Sequence, residues 1–367
     1  MRFIRRFTAA GADPVVALSP DLTRPGLRPV PYGLTAGLVL LVIGASVLSL
    51  TSGAAGLGPG DLFSALFGEG LSKRDAVVLY DIRLPRLAMG MAVGAALAVS
   101  GVLLQGLFRN PLADPGIVGI SAGAGLGAVL AIVLGGLLPL WVADIVGMHL
   151  VPVAAFMGGW AATLILYRAA SSGGRTDVAT MLLAGIALGA LAGAVTGVMV
   201  YIADDTQLRN LTFWGMGSLA GATWTKLAAA LPLIGLVMLL APGLARGLNA
   251  LALGEAQAVH MGQDVQRVKR LAIFGAAAAT GAAVAVSGGI GFIGIVVPHL
   301  LRLAMGPDHR RLLPHAALLG AGLLVLADLV SRTVVAPAEL PIGIVTALFG
   351  SPVFLWILLR QKGALRG

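Results

Sequence analysis

The sequence predicts an all-α polytopic membrane protein with about ten transmembrane helices in each subunit. Of the 367 residues, 58% are hydrophobic and only 11% are charged, whereas a soluble domain has about 25% charged residues. The apolar residues are collected in serial runs, most of them near the ~20 residues that a helix needs to cross a bilayer. The 52 glycines suit close packing of helices in lipid.

Ten apolar runs are the predicted spans, and the eighth is short and interrupted by glycine and proline. The runs are 32–52, 85–107, 117–138, 150–168, 179–203, 225–245, 270–287, 291–304, 313–331 and 342–360. They make 32–360 one transmembrane domain. Residues 1–31 form an extension that contains Arg and Pro, and residues 361–367 form a short tail.

The distribution of Lys and Arg predicts the orientation, because these residues accumulate in cytoplasmic loops. With the N-terminus inside, most of the 25 Lys and Arg residues fall on the cytoplasmic side. Both termini and the loop 247–270 are therefore expected in the cytoplasm. The net charge of +9 is then an orientation signal rather than a nucleic-acid footprint, and no nucleic acid partner is expected.

Several chemical signatures are absent from the sequence. There are no cysteines, and no pair of the five histidines has metal-ligand spacing on one clear face, so no metal or bound cofactor is expected. No G-x-x-x-x-G-K-[ST] loop is present, so the chain does not hold ATP itself, and no catalytic constellation stands out. The middles of the spans carry almost no charge, which argues against a secondary transporter. That class stays the distant alternative.

The loop 247–270, which we call the knob, has helical rather than spanning character. Gly254 and Glu255 open a short helical piece, and Gly262 closes it in the left-handed conformation. Asp264 offers an N-cap for a second short piece that runs through Val268. Two interpretations stay open from the residues alone: a loop that folds back on its own bundle, or a docking element for a soluble partner.

Two further segments have a clear backbone character. The stretch 108–116 carries two prolines four residues apart, which force a rigid non-helical turn before the third span. In the fifth span, glycines recur every four residues and therefore lie along one face. They are Gly185, Gly189, Gly193 and Gly197. This face is either a close-packing surface or a smooth wall of a wide pathway.

Charged residues cluster in the predicted outer segments. Arg83 and Arg86 flank a proline at the edge of the second span, either as interfacial anchors or as a docking patch. Asp328 and Arg332 are spaced i, i+4 as a helix ion pair. A short helix is predicted from Asp205 or Thr206 to Gly215. Its Arg209 is either a solvated charge or part of a mouth that attracts anions.

Motifs throughout 32–360 resemble one family. They include I-R-L-P-R, F-x-N-P-L-A-D-P-G, L-A-L-G-E-x-x-A-x-x-x-G, A-D-x-x-x-R and E-L-P-x-G-x-x-T-A. In type and order they resemble the permease subunits of binding-protein-dependent ABC importers of the FecCD family, which carry ferric siderophores, haem and cobalamin. The resemblance does not include residues 1–31.

The resemblance implies a type II importer permease that works as a homodimer in the lipid of the bacterial inner membrane. Two cytoplasmic ATPase subunits, which carry the ATP and Mg, would dock at Leu253, Gly254, Glu255 and Gly262. A periplasmic binding protein would dock at Arg83, Arg86 and Arg332. Asn110 and Leu112 would close the inner end of the pathway, and the four glycines of the fifth span would line it.

The resemblance also carries an expectation about the cargo. The outer segment L-R-x-L-T-F-W-x-x-G-S-L looks most like the haem branch of the family, so haem is the expected cargo, with a ferric siderophore or cobalamin as the alternative. Haem is a flat apolar ring with two carboxylates. Two copies of Arg209, one from each subunit, would attract those carboxylates through charge-assisted hydrogen bonds.

Overall fold

In the computed structural model, the described residues form an almost entirely helical bundle. They are 32–53, 58–67, 71–116 and 119–364. The extension 1–31 and the last three residues of the tail lie outside the described residues. The helices are α1 (Tyr32–Thr51), α2 (Pro59–Phe67), α3 (Lys73–Val77), α4 (Leu84–Phe108), α5 (Ile120–Leu134), α6 (Leu140–Val146), α7 (Leu150–Ala169), α8 (Val178–Ile202), α9 (Asp205–Met216), α10 (Trp224–Ala252), α11 (Glu255–His260), α12 (Val265–Ser287), α13 (Ile293–Met305), α14 (His309–Thr333) and α15 (Ile342–Ala364).

The predicted fold class is confirmed. Eight helical segments of the described residues are long and apolar enough to cross a membrane, and two shorter apolar helices, α13 and the first part of α15, complete the ten predicted runs. One π-helical turn (Val78–Arg83) joins α3 to α4, and a two-stranded antiparallel ladder, β1 (Ser171–Ser172) and β2 (Arg175–Thr176), joins α7 to α8.

The bundle has two ends, which long-range contacts define. Thr35 Oγ1 of α1 lies 2.9 Å from His315 Nε2 of α14, and Asn249 of α10 donates to Asp308 at 2.6 Å. The starts of α1 and α14 therefore lie at the same end as the knob, and we call it the knob end. At the opposite end, the far end, α9 follows α8, and Gln207 donates to the carbonyl of Val133 at 3.2 Å.

Helix α4 lies at the centre of the bundle, and its second half is buried almost without interruption. It packs on α14, α12, α10 and α13. Glycines allow the closest of these contacts: a Cβ on Gly94 would lie 2.2 Å from the carbonyl oxygen of Gly320, and one on Gly101 would lie 2.0 Å from that of Gly294. A side chain at either position would force α4 away from its neighbours.

Several predicted boundaries are wrong, among them the start of the knob, since α10 runs to Ala252. Asp264 caps a helix as expected, but that helix is α12, which continues unbroken to Ser287, so the second piece of the knob is the first turns of a span. Helix α9 is capped by Asp204 and runs to Met216, beyond the predicted end at Gly215. Asp204 wins because Gln207 completes a capping box with it. Helix α6 and the β1–β2 ladder were not predicted at all.

Candidate functional site

The knob presents a short helix between two glycines with positive φ. Gly254 (φ +116°) precedes α11, and Gly262 (φ +75°) follows it, a conformation that disfavours any residue with a Cβ. The two glycines let the chain turn at both ends of α11, which lies between α10 and α12 in the sequence. Leu253 is 66% exposed, and Val259 of α11 is also exposed. The four residues predicted to couple to an ATPase therefore lie on one exposed turn–helix–turn unit.

A polar cleft of about 610 Å³ lies beside α11 at the knob end. One wall is α11 with the first residues of α12, and the other includes Arg175 of the β1–β2 ladder. The remaining lining residues are Glu255, Ala256, Val259, His260, Gln263, Asp264, Val265 and Gln266. The cleft is open and carries both charges, so its chemistry suits a protein surface rather than a small apolar ligand.

Beneath α11, a buried lysine joins the knob to the start of α8. Lys269 of α12 forms an ion pair with Glu255 at 2.7 Å, and it donates to the carbonyl of Thr176 at 2.8 Å. Gln266 accepts from the N–H of Thr176 at 3.0 Å. Sequence analysis missed Lys269, Gln266 and Thr176, because the two segments are about 90 residues apart and no local pattern connects them.

The connection into α8 is stiff. Asp177 caps α8 by accepting from the backbone N–H groups of Ala179 and Thr180. Hydrogen bonds from Thr180, first of all from its hydroxyl, lower the pKa of Asp177, so the cap stays ionised at neutral pH. Thr176, which Lys269 and Gln266 hold, is the residue immediately before this cap.

The turn between α4 and α5 carries the predicted gate residues. Asn110 accepts from the N–H of Leu112 at 2.9 Å, which fixes the turn. Further along, a Cβ on Gly294 would lie 2.8 Å from Asp114 Oδ2 and 3.3 Å from the carbonyl oxygen of Leu97. At a helical rise of 1.5 Å per residue, Leu97 lies about 16 Å along α4 from the end of that helix. The turn therefore folds back into the bundle, and the gate assignment of Asn110 and Leu112 stays a prediction.

The glycine stripe of α8 divides into two parts. Gly185 is buried and packs on the α4–α5 turn, since a Cβ on Gly119 would lie 3.5 Å from the carbonyl oxygen of Gly185. A Cβ on Gly189, Gly193 or Gly197 would meet nothing within 4 Å. Close packing thus applies near the knob end, and the rest of the stripe is an open surface on the subunit. Its role in a pathway stays a prediction.

Helix α9 lies at the far end with Arg209 exposed, and none of the described residues is recorded as an ion-pair or hydrogen-bond partner of its side chain. A cleft of about 570 Å³ is lined by Asn210, Phe213 and Trp214 of this helix, with Lys226 and Ser287 among others. Arg209 does not line that cleft. The arginine is therefore available at the surface, and its role in attracting anions stays a prediction.

The three arginines predicted to dock a binding protein lie beneath the far end. Arg86 forms a fork of ion pairs to Asp328 at 2.9 Å and Glu339 at 2.8 Å. Arg332 pairs with Asp328 at 3.6 Å, as its spacing predicted, and donates to carbonyls at the end of α1. Arg83 is buried and donates to the carbonyl of Leu50.

These contacts determine the interactions of the three arginines in the isolated subunit. Each of the three is engaged within its own chain, so none of them is a free interfacial anchor or a free docking charge. The docking assignment stays a prediction, and it requires that an incoming carboxylate replace an internal partner. Glu339 is the most accessible of those partners, with 38% of its side chain exposed, against 4% for Asp328.

A bundle of membrane-length helices with an exposed, helix-bearing knob at one end defines a polytopic membrane protein. The family model bears this out: the chain belongs to the FecCD transport family, whose model matches residues 40–360. Its role is therefore transport, as a permease subunit, rather than enzymatic catalysis.

Three similar proteins support the membership. The chain is 48% identical to the hemin transport system permease protein of Yersinia pestis over 328 residues, which are 89% of this chain and 94% of that protein. It is 46% identical to the cobalamin import system permease protein of Halobacterium salinarum over 81% of this chain and 77% of that protein. It is 41% identical to a vitamin B12 import system permease protein of Escherichia coli O157:H7 over 88% of this chain and 94% of that protein.

A solved structure gives the same result. It is reported as an inward-facing conformation of a metal-chelate type ABC transporter, and it aligns with a TM-score of 0.78 at 32% identity. The alignment covers 90% of this chain and 99% of the other.

Proposed function

We propose that the chain is the permease subunit of an ATP-driven importer that carries haem across the bacterial inner membrane. Two copies form the permease, two ATPase subunits dock on the knobs, and a periplasmic binding protein delivers cargo to the far end. The single observation that carries the proposal is membership in the FecCD family together with 48% identity to a hemin permease. Because the ATPase subunits dock at the knob end, that end and both termini are cytoplasmic in this proposal.

The homodimer accounts for the open face of α8. Among the described residues, α8 packs mainly on α5 and α7. Large apolar residues on its other sides are exposed, among them Leu183 and Tyr201. A second copy facing this helix would place two glycine stripes opposite each other. Because Gly189, Gly193 and Gly197 add no side-chain bulk, the space between them would be wide enough for a flat ring.

Haem fits the charge at the far end better than cobalamin does. Haem carries two carboxylates, whereas the corrin ring of cobalamin carries mostly uncharged amides. The exposed Arg209 has no recorded internal carboxylate partner among the described residues, so its full charge faces the approaching cargo. Ionised hydrogen-bond partners are about twice as strong as neutral ones. Two copies of Arg209 therefore favour the dicarboxylate.

Vesicle uptake of Arg209→Ala tests the cargo assignment. With the ATPase and the binding protein present, we expect haem uptake to fall at least about tenfold, because the homodimer loses both copies of Arg209 and a single charge-assisted contact already contributes ~1.4 kcal/mol. Stimulation of the ATPase by the binding protein should persist. Arg74→Ala is the matched control, since Arg74 is an exposed arginine on α3 and should leave uptake unchanged. Wild-type vesicles that carry cobalamin or a ferric siderophore and ignore haem would contradict the haem assignment.

A further inference from the structure

Lys269 is a cation in an unusual place. It lies one turn after the cap of α12, and only 2% of its surface is exposed. Lysine is seldom fully buried unless its charge is paired. Here the ammonium group has two recorded partners from two different elements: the Glu255 carboxylate of α11 and the backbone carbonyl of Thr176 before α8.

The two partners differ in what surrounds them. Glu255 lies at the start of α11 and remains 45% exposed at its side chain, on the surface where we propose that an ATPase docks. Thr176 is buried, and it is fixed from its other side by Gln266. The ammonium group therefore connects α11, which a docked ATPase would contact directly, with Thr176, which the ATPase would not need to contact.

Packing alone does not explain this arrangement. An apolar side chain of similar length would fill the site without the desolvation that a buried ammonium group suffers. A lysine with its three donors does what an apolar residue does not: it bonds at once to Glu255 of α11 and to Thr176, the residue before the cap of α8. Since α8 carries the open glycine stripe, the connection leads from the knob to the proposed pathway.

We propose that Lys269 is a positioning residue that transmits displacement of α11 to α8, so that movement of a docked ATPase moves the wall of the pathway. The inference rests on the proposed docking of the ATPase at the knob. Gln266 provides the second contact of the same connection, because it holds the N–H of Thr176 while Lys269 holds the carbonyl. Loss of Lys269 then separates ATP hydrolysis from transport without removing the docking surface.

Lys269→Met is the direct test. The substitution removes the cation and keeps the length of the side chain, and it strands no buried charge because Glu255 is half-exposed. In vesicles with the ATPase and the binding protein, we expect the amount of cargo carried per ATP hydrolysed to fall about tenfold, within the range of coupling between two sites. Copurification of the ATPase should be unchanged.

Two further variants separate coupling from stability. Arg310→Met is the matched control, because Arg310 is an exposed cation of α14 at the knob end and lies outside the loop 247–270. The exchange Glu255→Lys with Lys269→Glu restores an ion pair between α11 and α12, but a glutamate does not donate to the carbonyl of Thr176. Because Glu255 also belongs to the proposed docking surface, thermal stability is the readout for this exchange, and we expect it to stay closer to wild type than in Lys269→Met.

Different results would contradict the proposed role of Lys269 and the proposed function of the chain. Wild-type vesicles without ATP-dependent uptake would contradict the proposed function. Wild-type vesicles that transport, together with a Lys269→Met variant whose cargo per ATP is unchanged, would overturn the role of Lys269. If Lys269→Met does not fold, Gln266→Met tests the same connection with an uncharged change, and unchanged cargo per ATP in that variant would overturn the inference.

Discussion

Arg86 shows how far a single residue could be predicted. The spacing of Asp328 and Arg332 predicted their ion pair, and the structure contains it at 3.6 Å. The fork of Arg86 to Asp328 and Glu339 was not predicted, because it joins residues 242 and 253 positions apart. Local periodicity indicates that a charge lies near a span end. It does not indicate which distant charge faces it.

The internal partners of Arg86 lead to a prediction about Glu339→Gln. This change removes the most accessible competitor for Arg86 and leaves the deeper Asp328 pair intact. If an acidic binding protein docks on these arginines, we expect its affinity to rise several-fold, since a partly exposed pair contributes about 0.2–1 kcal/mol. The affinity is measured by surface plasmon resonance at low and high salt.

Arg86→Gln is the contrasting variant. It leaves Asp328 buried beside Arg332 alone, and loss of one partner of a buried pair costs about 3–5 kcal/mol. We expect a clear fall in the thermal unfolding temperature in detergent. An Arg86→Gln subunit that is as stable as wild type would show that the fork does not hold α4 to α14.

The same limit applies to Lys269, which lies within the predicted loop 247–270 and which the structure places under α11. By contrast, Gly254 and Gly262 were predictable, because a glycine next to a short helical pattern is typical of a positive φ. Both have positive φ in the structure. Residues whose role is set by their own backbone were predicted, and residues whose role is set by a distant element were not.

At the scale of elements, the spans followed from hydrophobic runs of sufficient length, and the short elements did not. The apolar run at 179–203 became α8 within one residue at each end. The two-residue strands of the β1–β2 ladder have no period to detect, and α6 lies in an apolar stretch without a strong cap. The knob was predicted only in part. Helix α11 is a separate short helix as expected, but Asp264 caps a membrane span instead of a second short helix.

Leu253→Ala tests the knob as a docking element. Burying a leucine against a partner contributes about 1.5–3 kcal/mol, so we expect the ATPase to bind at least about tenfold more weakly to this variant. The subunit itself should keep its stability, since Leu253 is mostly exposed. Leu303→Ala on α13 is the control, an equally exposed leucine outside the knob. Equal ATPase affinity in the wild type and Leu253→Ala would remove Leu253 from the docking surface.

The glycines of α8 and α4 should respond differently to a side chain. Gly193→Val adds bulk to open space within the subunit, so we expect unchanged thermal unfolding of the solubilised subunit and reduced haem uptake. Gly94→Val drives a side chain into the carbonyl of Gly320, and overpacking of this kind costs about 1–3 kcal/mol or more. We expect that variant to unfold at a lower temperature. A stable Gly193→Val subunit with full uptake would exclude this part of α8 from the pathway.

The two ends of the bundle carry different functional groups. The knob end carries the exposed α11, the polar cleft and the turn with Asn110 and Leu112. The far end carries Arg209 and the buried arginine cluster. Helices α8 and α12 connect the two ends, and Lys269 joins them at the knob end. The composition of the sequence was sufficient to predict the fold class. Which helices pack against each other became clear only from the structure.

ATP-dependent haem uptake tests the central claim most directly. The permease is reconstituted in vesicles with the ATPase subunit inside and the binding protein outside, and haem entry is followed with ATP, with ATP and vanadate, and with an uncoupler. We expect uptake that requires ATP, stops with vanadate and is indifferent to the uncoupler. Uptake that proceeds without the ATPase and collapses with the uncoupler would contradict it.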